Sequence, residues 1–386
     1  MLDLLIIGAG PAGISAAYQA KRAGLDYVVI EKGLIGNTIY NYPVGLTVFS
    51  TTNELEFNEG DLKPAREKPT REELLSYYVR FVLDNELNVR SEETVLSVSS
   101  VNSVSSVVSV VAADGTTENT ERSEVRSGQE NHPVGEAPPP LLRMERSFHE
   151  EANFPATGSF RVVTDKAVYE TRSVLFAMGA MDYPRKLNVP GEDLPKVHGV
   201  FRETYPWVRK HAMIVGGGNS AGEAALFLAQ EGAETTLAIF RSDWENNDPK
   251  QGCIKYWVKQ PLEEELKEHC LKLFFLGKVI EIREGEVELE SESGERVVIP
   301  NDVVFVLIGS DADLTMLKSL GVETESSKHG EVPVYDPDTF ETNVPGIYVA
   351  GHFTNHRHIK PAIDAGKVLI PKLTEKLTAK YAKNAK

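Results

Sequence analysis

Residues 2–31 read LDLLIIGAGPAGISAAYQAKRAGLDYVVIE, and this stretch decides the fold. An apolar run leads into a glycine-rich turn and an apolar helical segment, and a second apolar run ends at Glu31. The order strand, glycine turn, helix, strand and acid is that of the dinucleotide-binding βαβ unit. A glycine pattern alone is weak evidence, but here all five parts are present. The stretch therefore predicts a dinucleotide site.

The glycines of this turn have separate physical roles. Gly8 allows a tight turn after the strand, Gly10 leaves room for a pyrophosphate beside the backbone, and Gly13 lets the helix pack close to the strand. The helix N-terminus offers N–H groups and a positive dipole end to the phosphates. Glu31 can accept hydrogen bonds from ribose hydroxyls. We expect further contacts from Pro11, Ala12 and Lys32.

The segment after this unit carries polar and aromatic side chains. We expect Asn37 and Thr38 to hydrogen-bond the rest of the dinucleotide, and Tyr40 or Tyr42 to cover a ring. A tyrosine-bearing surface loop is the alternative.

A second glycine-rich unit occurs in the middle of the chain. Residues 212–215 are apolar, residues 216–221 read GGGNSA, and a helical segment and another strand follow. Arg241 and Ser242 stand where Glu31 stands in the first unit. An acid favours a free 2′-hydroxyl, whereas a cation and a hydroxyl suit a 2′-phosphate, so we expect NADPH rather than NADH. Arg241 as an ordinary surface residue is the alternative. The predicted contacts are Gly216, Gly218, Asn219, Ser220, Ala221, Arg241 and Ser242.

Two different dinucleotide units in one chain are explained most simply if one holds FAD and the other holds NADPH, which delivers hydride to the flavin. Apolar strands that end at Gly179 and Gly309 indicate two crossings between the units. We therefore expect an α/β fold with two Rossmann-like domains of three layers, the second inserted in the first. The predicted limits are 1–191 and 309–386 for the FAD-binding domain, 192–308 for the NADPH-binding domain, and about 112–150 for an insertion or long loop.

Length, net charge and cysteine content limit the possible classes of binding partner. The length of 386 residues favours two domains, and the net charge of −16 argues against nucleic acid and anionic membranes. We recognise no transmembrane run and no signal peptide, so we expect a cytoplasmic protein without a membrane partner. Cys253 and Cys270 lack CxxC spacing, which argues against a disulfide framework.

The last predicted strand ends at Gly351-His352, and Pro361 suits the first position of a helix. The N-terminus of that helix would stabilise negative charge on a reduced flavin. His352, His356 and His358, with nearby cations, could form a titratable patch that donates protons to an acceptor, and they are the catalytic candidates. A solvated basic loop and a metal site are alternatives, and we predict no metal because neither carboxylate nor cysteine is near. The remaining predicted cofactor contacts are Gly179, Gly309, Gly351, His352, Lys360, Pro361 and Ala362.

Several stretches carry a family resemblance: GAGPAGISAA, NTIYNYPVGLTVFSTTNELEF, REELLSYY, VPGEDLPKV, GGGNSAGEAAL and ETNVPGIYVAG. The chain resembles the thioredoxin-reductase-like flavoproteins and, among them, the YpdA-type bacillithiol-disulfide reductases. The match covers most of the chain apart from about 100–155. The resemblance implies a homodimer with tightly bound FAD that uses NADPH to reduce a low-molecular-weight disulfide. It also implies that the NADPH domain can rotate relative to the FAD domain.

The chain departs from these relatives at three places. Residues 194–212 contain no cysteine, so the CxxC route of thioredoxin reductases is excluded. Ala12 stands where YpdA-type proteins usually have a cysteine, and His352 stands where a flavin-binding aspartate is usual. Cys253 and Cys270 fall on no redox position of the family.

We therefore expect an FAD-dependent oxidoreductase that passes hydride from NADPH to FAD and electrons to a small-molecule or small-protein acceptor. A low-molecular-weight disulfide is the leading acceptor. The alternatives are a ferredoxin- or flavodoxin-NADP reductase, a flavin monooxygenase or quinone/oxygen reductase, and a non-catalytic redox sensor.

Overall fold

A computed structural model describes residues 1–101, 158–248, 254–268, 271–327, 330–355 and 357–384. The predicted insertion at 112–150, the candidate His356, and both cysteines, Cys253 and Cys270, lie outside the described residues.

The described chain contains nineteen strands. In chain order they are β1 (Leu4–Ile7), β2 (Tyr27–Ile30), β3 (Val89–Arg90), β4 (Val95–Val101), β5 (Ser159–Thr164), β6 (Val168–Thr171), β7 (Val174–Phe176), β8 (Tyr183–Pro184), β9 (Val197–His198), β10 (His211–Val215), β11 (Glu234–Ile239), β12 (Leu271–Ile282), β13 (Glu286–Ser291), β14 (Arg296–Pro300), β15 (Val303–Val306), β16 (Ser310–Asp311), β17 (Thr324–Ser327), β18 (Gly330–Pro333) and β19 (Ile347–Val349).

Nine α-helices and one 3₁₀ turn, Tyr205–Trp207, accompany these strands in the part of the chain that is described. The helices are α1 (Pro11–Arg22), α2 (Asn37–Tyr40), α3 (Thr52–Leu55), α4 (Arg71–Asp84), α5 (Asn219–Gln230), α6 (Arg241–Glu245), α7 (Tyr256–Lys267), α8 (Thr315–Ser319) and α9 (Ile359–Asn384). None of them, within the described ranges, has the length and apolarity that a membrane crossing requires.

The first sheet is built around the opening stretch of the sequence. It has five parallel strands in the order β19-β7-β1-β2-β3, and β1 lies at its centre. Leu4, Leu5 and Ile6 are fully buried, because helices and loops cover both faces of a parallel sheet. The carboxyl ends of β1, β7 and β19 lead directly into Gly8, the segment before Gly179, and Gly351. These glycines therefore gather at one edge of the sheet.

The second sheet has seven strands in the order β14-β13-β12-β11-β10-β15-β9. Its five strands from β12 to β9 are parallel, and β13 and β14 add an antiparallel hairpin at one edge. Helix α5 packs on this sheet through Ala224, Ala225 and Leu228, which are fully buried. The second glycine turn thus repeats the strand-turn-helix arrangement of the first.

Smaller sheets join and flank these two. Strands β4, β5 and β6 form an antiparallel sheet, β17 pairs with β18, and β16 pairs with β8. The β8–β16 pair lies between the two large sheets in sequence, because β9 to β15 contribute only to the second sheet. This arrangement agrees with an inserted unit, and the predicted limits at 191/192 and 308/309 stay predictions.

Two local predictions need correction. Helix α9 begins at Ile359, two residues before Pro361, because proline is tolerated throughout the first turn, where its missing N–H has no helical partner. The sequence places Arg241 directly after a strand, as Glu31 is, but that strand ends at Ile239 and Phe240 is the N-cap of α6. Arg241 therefore begins a short helix.

Candidate active site

The first glycine turn is held by close backbone contacts. Gly8 has a φ of +108°, and a Cβ there would lie 2.6 Å from the Ala177 carbonyl oxygen. A Cβ on Gly13 would lie 1.9 Å from the Gly8 carbonyl oxygen, so helix α1 can approach the turn only without a side chain. Gly10 differs, because a Cβ there meets nothing within 4 Å. Its open side faces the space where a pyrophosphate would lie.

Glu31 connects the end of β2 to this turn. It is 7% exposed; Ala9 N–H donates to its Oε2 at 2.7 Å and Gly33 N–H to its Oε1 at 2.8 Å. Burial raises the pKa of Glu31, although the two N–H donors oppose that rise. A carboxylate has about four acceptor positions, so the group can also accept from ribose hydroxyls.

A cavity of about 290 Å³ adjoins the first turn. Most predicted contacts of the first unit line it: Gly8, Gly10, Pro11, Ala12, Glu31, Lys32, Asn37, Thr38, Gly179, Gly351, His352 and Ala362. Four other predicted residues, Gly13, Tyr40, Lys360 and Pro361, do not. The N-terminus of α9 contacts the cavity, because His358 and Ile359 line it. The positive end of the helix dipole therefore lies at the cavity, as the sequence predicted.

Tyr40 and Lys360 are engaged elsewhere. The Tyr40 ring lies beside the guanidinium carbons of Arg202 and Arg71, at 4.4 and 5.3 Å from its centroid. Lys360 Nζ is 2.8 Å from Asp364 Oδ1, one turn along α9. Tyr42, the other aromatic candidate, does line the cavity.

The second glycine turn repeats the first in outline. A Cβ on Gly216, whose φ is +155°, would lie 2.3 Å from the Leu307 carbonyl oxygen. A Cβ on Gly218 meets nothing within 4 Å, as at Gly10. Ala221 replaces the third glycine and is fully buried. Asn219 begins α5, and its Oδ1 accepts from Lys255 N–H at 2.8 Å.

A larger cavity of about 1080 Å³ extends from this second turn. Of the predicted contacts it is lined by Gly216, Gly218, Asn219, Ser220, Gly309 and His352, and not by Ala221, Arg241 or Ser242. Five residues line both cavities: Tyr42, Met181, His352, His358 and Ile359. The two glycine turns therefore face adjoining spaces, which is the arrangement that hydride transfer between two bound rings requires.

Arg241 lies outside both cavity linings. Its Nε donates to Glu292 Oε1 at 2.6 Å, and its Nη1 is 3.4 Å from Glu245 Oε1. The guanidinium also stacks over Phe275, 3.8 Å from the ring centroid. Asp243, two residues on, does line the larger cavity and lies against Gly217.

Glu223 is a site residue that sequence reasoning missed. It is half-buried on α5 and lines the larger cavity. Burial raises the pKa of the Tyr42 phenol, and the nearby Glu223 carboxylate raises it further. Burial raises the pKa of Glu223 itself to about 7. In the sequence it looks like an ordinary solvated residue of an amphipathic helix, and no local signal distinguishes it.

The histidine patch is placed between the cavities. His352 and His358 line both, and Arg357 lines the larger one. Burial, followed by repulsion from Arg185, lowers the pKa of Arg357. Within the described residues, no group of three or more histidine, cysteine or acidic side chains could hold a metal ion.

Ala12 occupies the position where a thiol was expected from the resemblance. It is 2% exposed and lines the smaller cavity. No cysteine lies among the residues that the structure describes.

The sequence pattern of pyridine nucleotide-disulphide oxidoreductases matches residues 5–118 and 153–351. The chain belongs to this family. It is an oxidoreductase that uses a flavin and NAD(P), and its thioredoxin-reductase-like fold of two Rossmann-like units confirms the predicted fold class.

Individual relatives support the same placement. Bacilliredoxin reductase Bdr of Bacillus subtilis (strain 168) is 31% identical over 347 residues, which cover 90% of this chain and 88% of that protein. The structure of bacillithiol disulfide reductase Bdr (YpdA) from Staphylococcus aureus has 29% identity and a TM-score of 0.76, and covers 97% of this chain and 98% of that chain. Ferredoxin–NADP reductase of Ignicoccus hospitalis is 26% identical over 364 residues, which cover 92% of this chain and 90% of that protein. The resemblance to YpdA-type reductases is thereby confirmed.

Proposed function

We propose that the protein is an FAD-dependent reductase that oxidises NADPH and reduces a low-molecular-weight disulfide. The observation that carries this proposal is the pair of adjoining cavities, each with its own glycine turn. Gly10 and Gly218 are open on the cavity side, so both turns fit a pyrophosphate. Glu31 fits the ribose of FAD, and Arg241 would bind the 2′-phosphate of NADPH.

The balanced reaction takes NADPH, one proton and a disulfide to NADP⁺ and two thiols. FAD, when bound, accepts hydride from the nicotinamide and passes the electron pair to the acceptor. The positive end of α9 favours negative charge in the smaller cavity. His352 and His358 line both cavities, and Glu223 lines the larger one. These side chains would hold or deliver the protons that the leaving thiolates take up.

The relatives support the acceptor class. The names of the Bacillus subtilis and Staphylococcus aureus proteins describe reduction of a bacilliredoxin and of bacillithiol disulfide. We therefore propose a bacillithiol-type disulfide, or the disulfide of a small protein, as the acceptor. A homodimer and a cytoplasmic location stay predictions.

Ala12 favours a second candidate, a ferredoxin- or flavodoxin-NADP reductase. That reaction needs no enzyme thiol, and the Ignicoccus relative carries this name. The net charge of −16 weighs against it where the docking surface must be basic.

Anaerobic mixing of the flavin-loaded protein with NADPH tests the first half of the reaction. We expect loss of flavin absorbance, and absorbance that stays constant would contradict the enzyme proposal. Reoxidation is then measured with bacillithiol disulfide, other small disulfides, ferredoxin, quinone and oxygen. Ferredoxin as the only efficient acceptor would establish the second candidate and reject the first.

The variant Ala12→Cys tests the missing thiol, with Ala12→Ser as the matched control. If disulfides react slowly because no enzyme thiol is present, the cysteine variant should reduce them faster than the serine variant, with NADPH oxidation unchanged in the first half-reaction. Equal rates in both variants would mean that a thiol at this position does not limit disulfide reduction.

A further inference from the structure

The second nucleotide unit contains an ion pair that sequence reasoning did not anticipate. Arg241, at the start of α6, meets Glu292, which lies in the turn between β13 and β14. Arg241 Nε donates to Glu292 Oε1 at 2.6 Å, and Nη2 contacts the same oxygen. The pair raises the pKa of Arg241 and lowers the pKa of Glu292, so both groups are charged at neutral pH.

The surroundings hold both partners in place independently of each other. The Glu292 backbone N–H donates to the Phe275 carbonyl at 3.2 Å, which fixes the turn against β12. The Arg241 guanidinium lies over the Phe275 ring at 3.8 Å, and this cation–π contact orients it without help from Glu292. The loss of Glu292 would therefore leave Arg241 in position.

A phosphate and a carboxylate compete for the same N–H donors of a guanidinium. Both bind through charged oxygens to the planar N–H fork, so one excludes the other from the same donors. In the structure the Nε and Nη2 donors face Glu292, and Nη1 faces Glu245 at 3.4 Å. A 2′-phosphate must therefore displace Glu292 before it can bind these donors.

We propose that Glu292 is a positioning residue that sets the preference between NADPH and NADH, because it competes with the 2′-phosphate for Arg241. This inference rests on the proposed role of Arg241 in the preceding section. NADH has no 2′-phosphate, so its binding is independent of this competition. Glu292 thus makes the site less selective for NADPH than Arg241 alone would make it.

The test uses the flavin-loaded protein and two simple probes, adenosine 2′,5′-bisphosphate and ADP, titrated by calorimetry. Glu292→Gln should bind adenosine 2′,5′-bisphosphate about five-fold more tightly, the effect expected when binding no longer has to break one exposed ion pair. ADP affinity should not change. In steady state the KM for NADPH should fall in the same proportion, with kcat and the KM for NADH unchanged.

Glu295→Gln is the matched control, because Glu295 is exposed on the same turn and its substitution removes the same charge. It should shift the affinity for adenosine 2′,5′-bisphosphate by less than about two-fold, since Arg241 pairs with Glu292 and Glu245 rather than with Glu295, and exposed charges are screened. An effect as large as that of Glu292→Gln would overturn the proposal, and so would no effect of Glu292→Gln.

The double variant Arg241→Ala/Glu292→Gln separates this inference from the proposed function. If Glu292 acts through Arg241, its substitution should have no effect in the Arg241→Ala background. A full effect in that background would mean direct repulsion and would overturn the inference. Arg241→Ala alone should weaken the bisphosphate and not ADP; equal weakening of both would reject the 2′-phosphate role and the inference with it. If Arg241→Ala weakens only the bisphosphate and Glu292→Gln changes neither affinity, the inference is rejected and the proposed role of Arg241 stands.

Discussion

At the first glycine turn the acid that ends β2 reaches back to the turn, whereas at the second turn the cation after β11 reaches away from it. Glu31 is buried and accepts from the N–H groups of Ala9 and Gly33. Arg241 is about two-fifths exposed and pairs with Glu292 on another hairpin. The first turn is therefore stabilised by the acid of its own unit, whereas the cation of the second unit is held by the turn between β13 and β14.

The helices that follow the turns differ in the same way. Ser15, the fifth residue of α1, donates to the Ile363 carbonyl at 2.6 Å and so fastens α1 to α9. Glu223, the fifth residue of α5, instead faces the larger cavity with a raised pKa. The same strand-turn-helix motif thus carries an interhelical hydrogen bond in the first unit and a titratable side chain at the cavity in the second.

The largest expected effect comes from filling the two cradles. Gly10 and Gly218 both adopt extended backbone, so Gly10→Val and Gly218→Val should fold without strain. Each side chain would project into the space that a pyrophosphate needs, which should weaken binding by about 3 kcal/mol, or roughly 100-fold. Gly10→Val should lose flavin on purification, and Gly218→Val should keep flavin and lose NADPH affinity.

Flavin absorbance per protein and calorimetric titration with NADP⁺ measure these two losses, and thermal unfolding confirms the fold. Flavin loss in Gly218→Val together with normal flavin content in Gly10→Val would reverse the assignment of the units.

The next largest effect is on the free energy of unfolding and concerns Glu31 and Arg241, the residues that follow the second strand of each unit. In Glu31→Gln the amide offers one acceptor oxygen, so the N–H of Ala9 or Gly33 loses its partner, at a cost of about 1–3 kcal/mol. Urea unfolding at pH 7 measures this loss. Arg241→Ala, at the corresponding place in the second unit, should leave the urea midpoint unchanged because its contacts are exposed. Equal destabilisation by Glu31→Gln and Arg241→Ala would contradict the proposed difference between the two units.

Glu223 should make stability depend on pH. Its pKa is about 7 in the folded chain against 4.5 for a free side chain, so the folded protein retains a proton that the unfolded chain loses between these values. Stability should therefore fall between pH 4.5 and 7. Glu223→Gln should remove that fall and be more stable than the wild type at pH 8 by on the order of 2 kcal/mol.

Urea unfolding at pH 5 and pH 8 provides the measurement, with Glu231→Gln, exposed at the end of the same helix, as the control. A difference between wild type and Glu223→Gln that stays constant across this range would show that Glu223 is not titrating.

The smallest effect concerns the neighbour of Glu31. Lys32 Nζ is 2.7 Å from Asp182 Oδ2, with side chains 51% and 37% exposed. Asp182→Asn should change the free energy of unfolding by less than about 0.5 kcal/mol, because exposed ion pairs contribute little. A larger loss would mean that the first unit depends on its rim as well as on its buried acid.

The features that sequence reasoning predicted are those encoded within one supersecondary unit. Both strand-turn-helix segments, the role of Gly8 and the acid at Glu31 follow from local spacing and backbone sterics. The contact of Arg241 with Glu292 spans 51 positions and depends on how an edge hairpin pairs, so periodicity carries no signal of it. The contact of Arg202 with the Tyr40 ring joins residues 162 positions apart and is equally invisible to local spacing, and the role of Tyr40 at the dinucleotide stays a prediction.

The β8–β16 pair has a consequence for protein engineering. Pro184 and Ser310 are paired residues of antiparallel strands, and such partners lie about 5 Å apart. A tight turn of two residues can span that gap. A shortened gene that joins these two positions would delete the entire seven-stranded sheet while keeping β1, β2, β3, β7 and β19 in one chain. Flavin binding by the shortened chain would measure how far the first unit functions without the second.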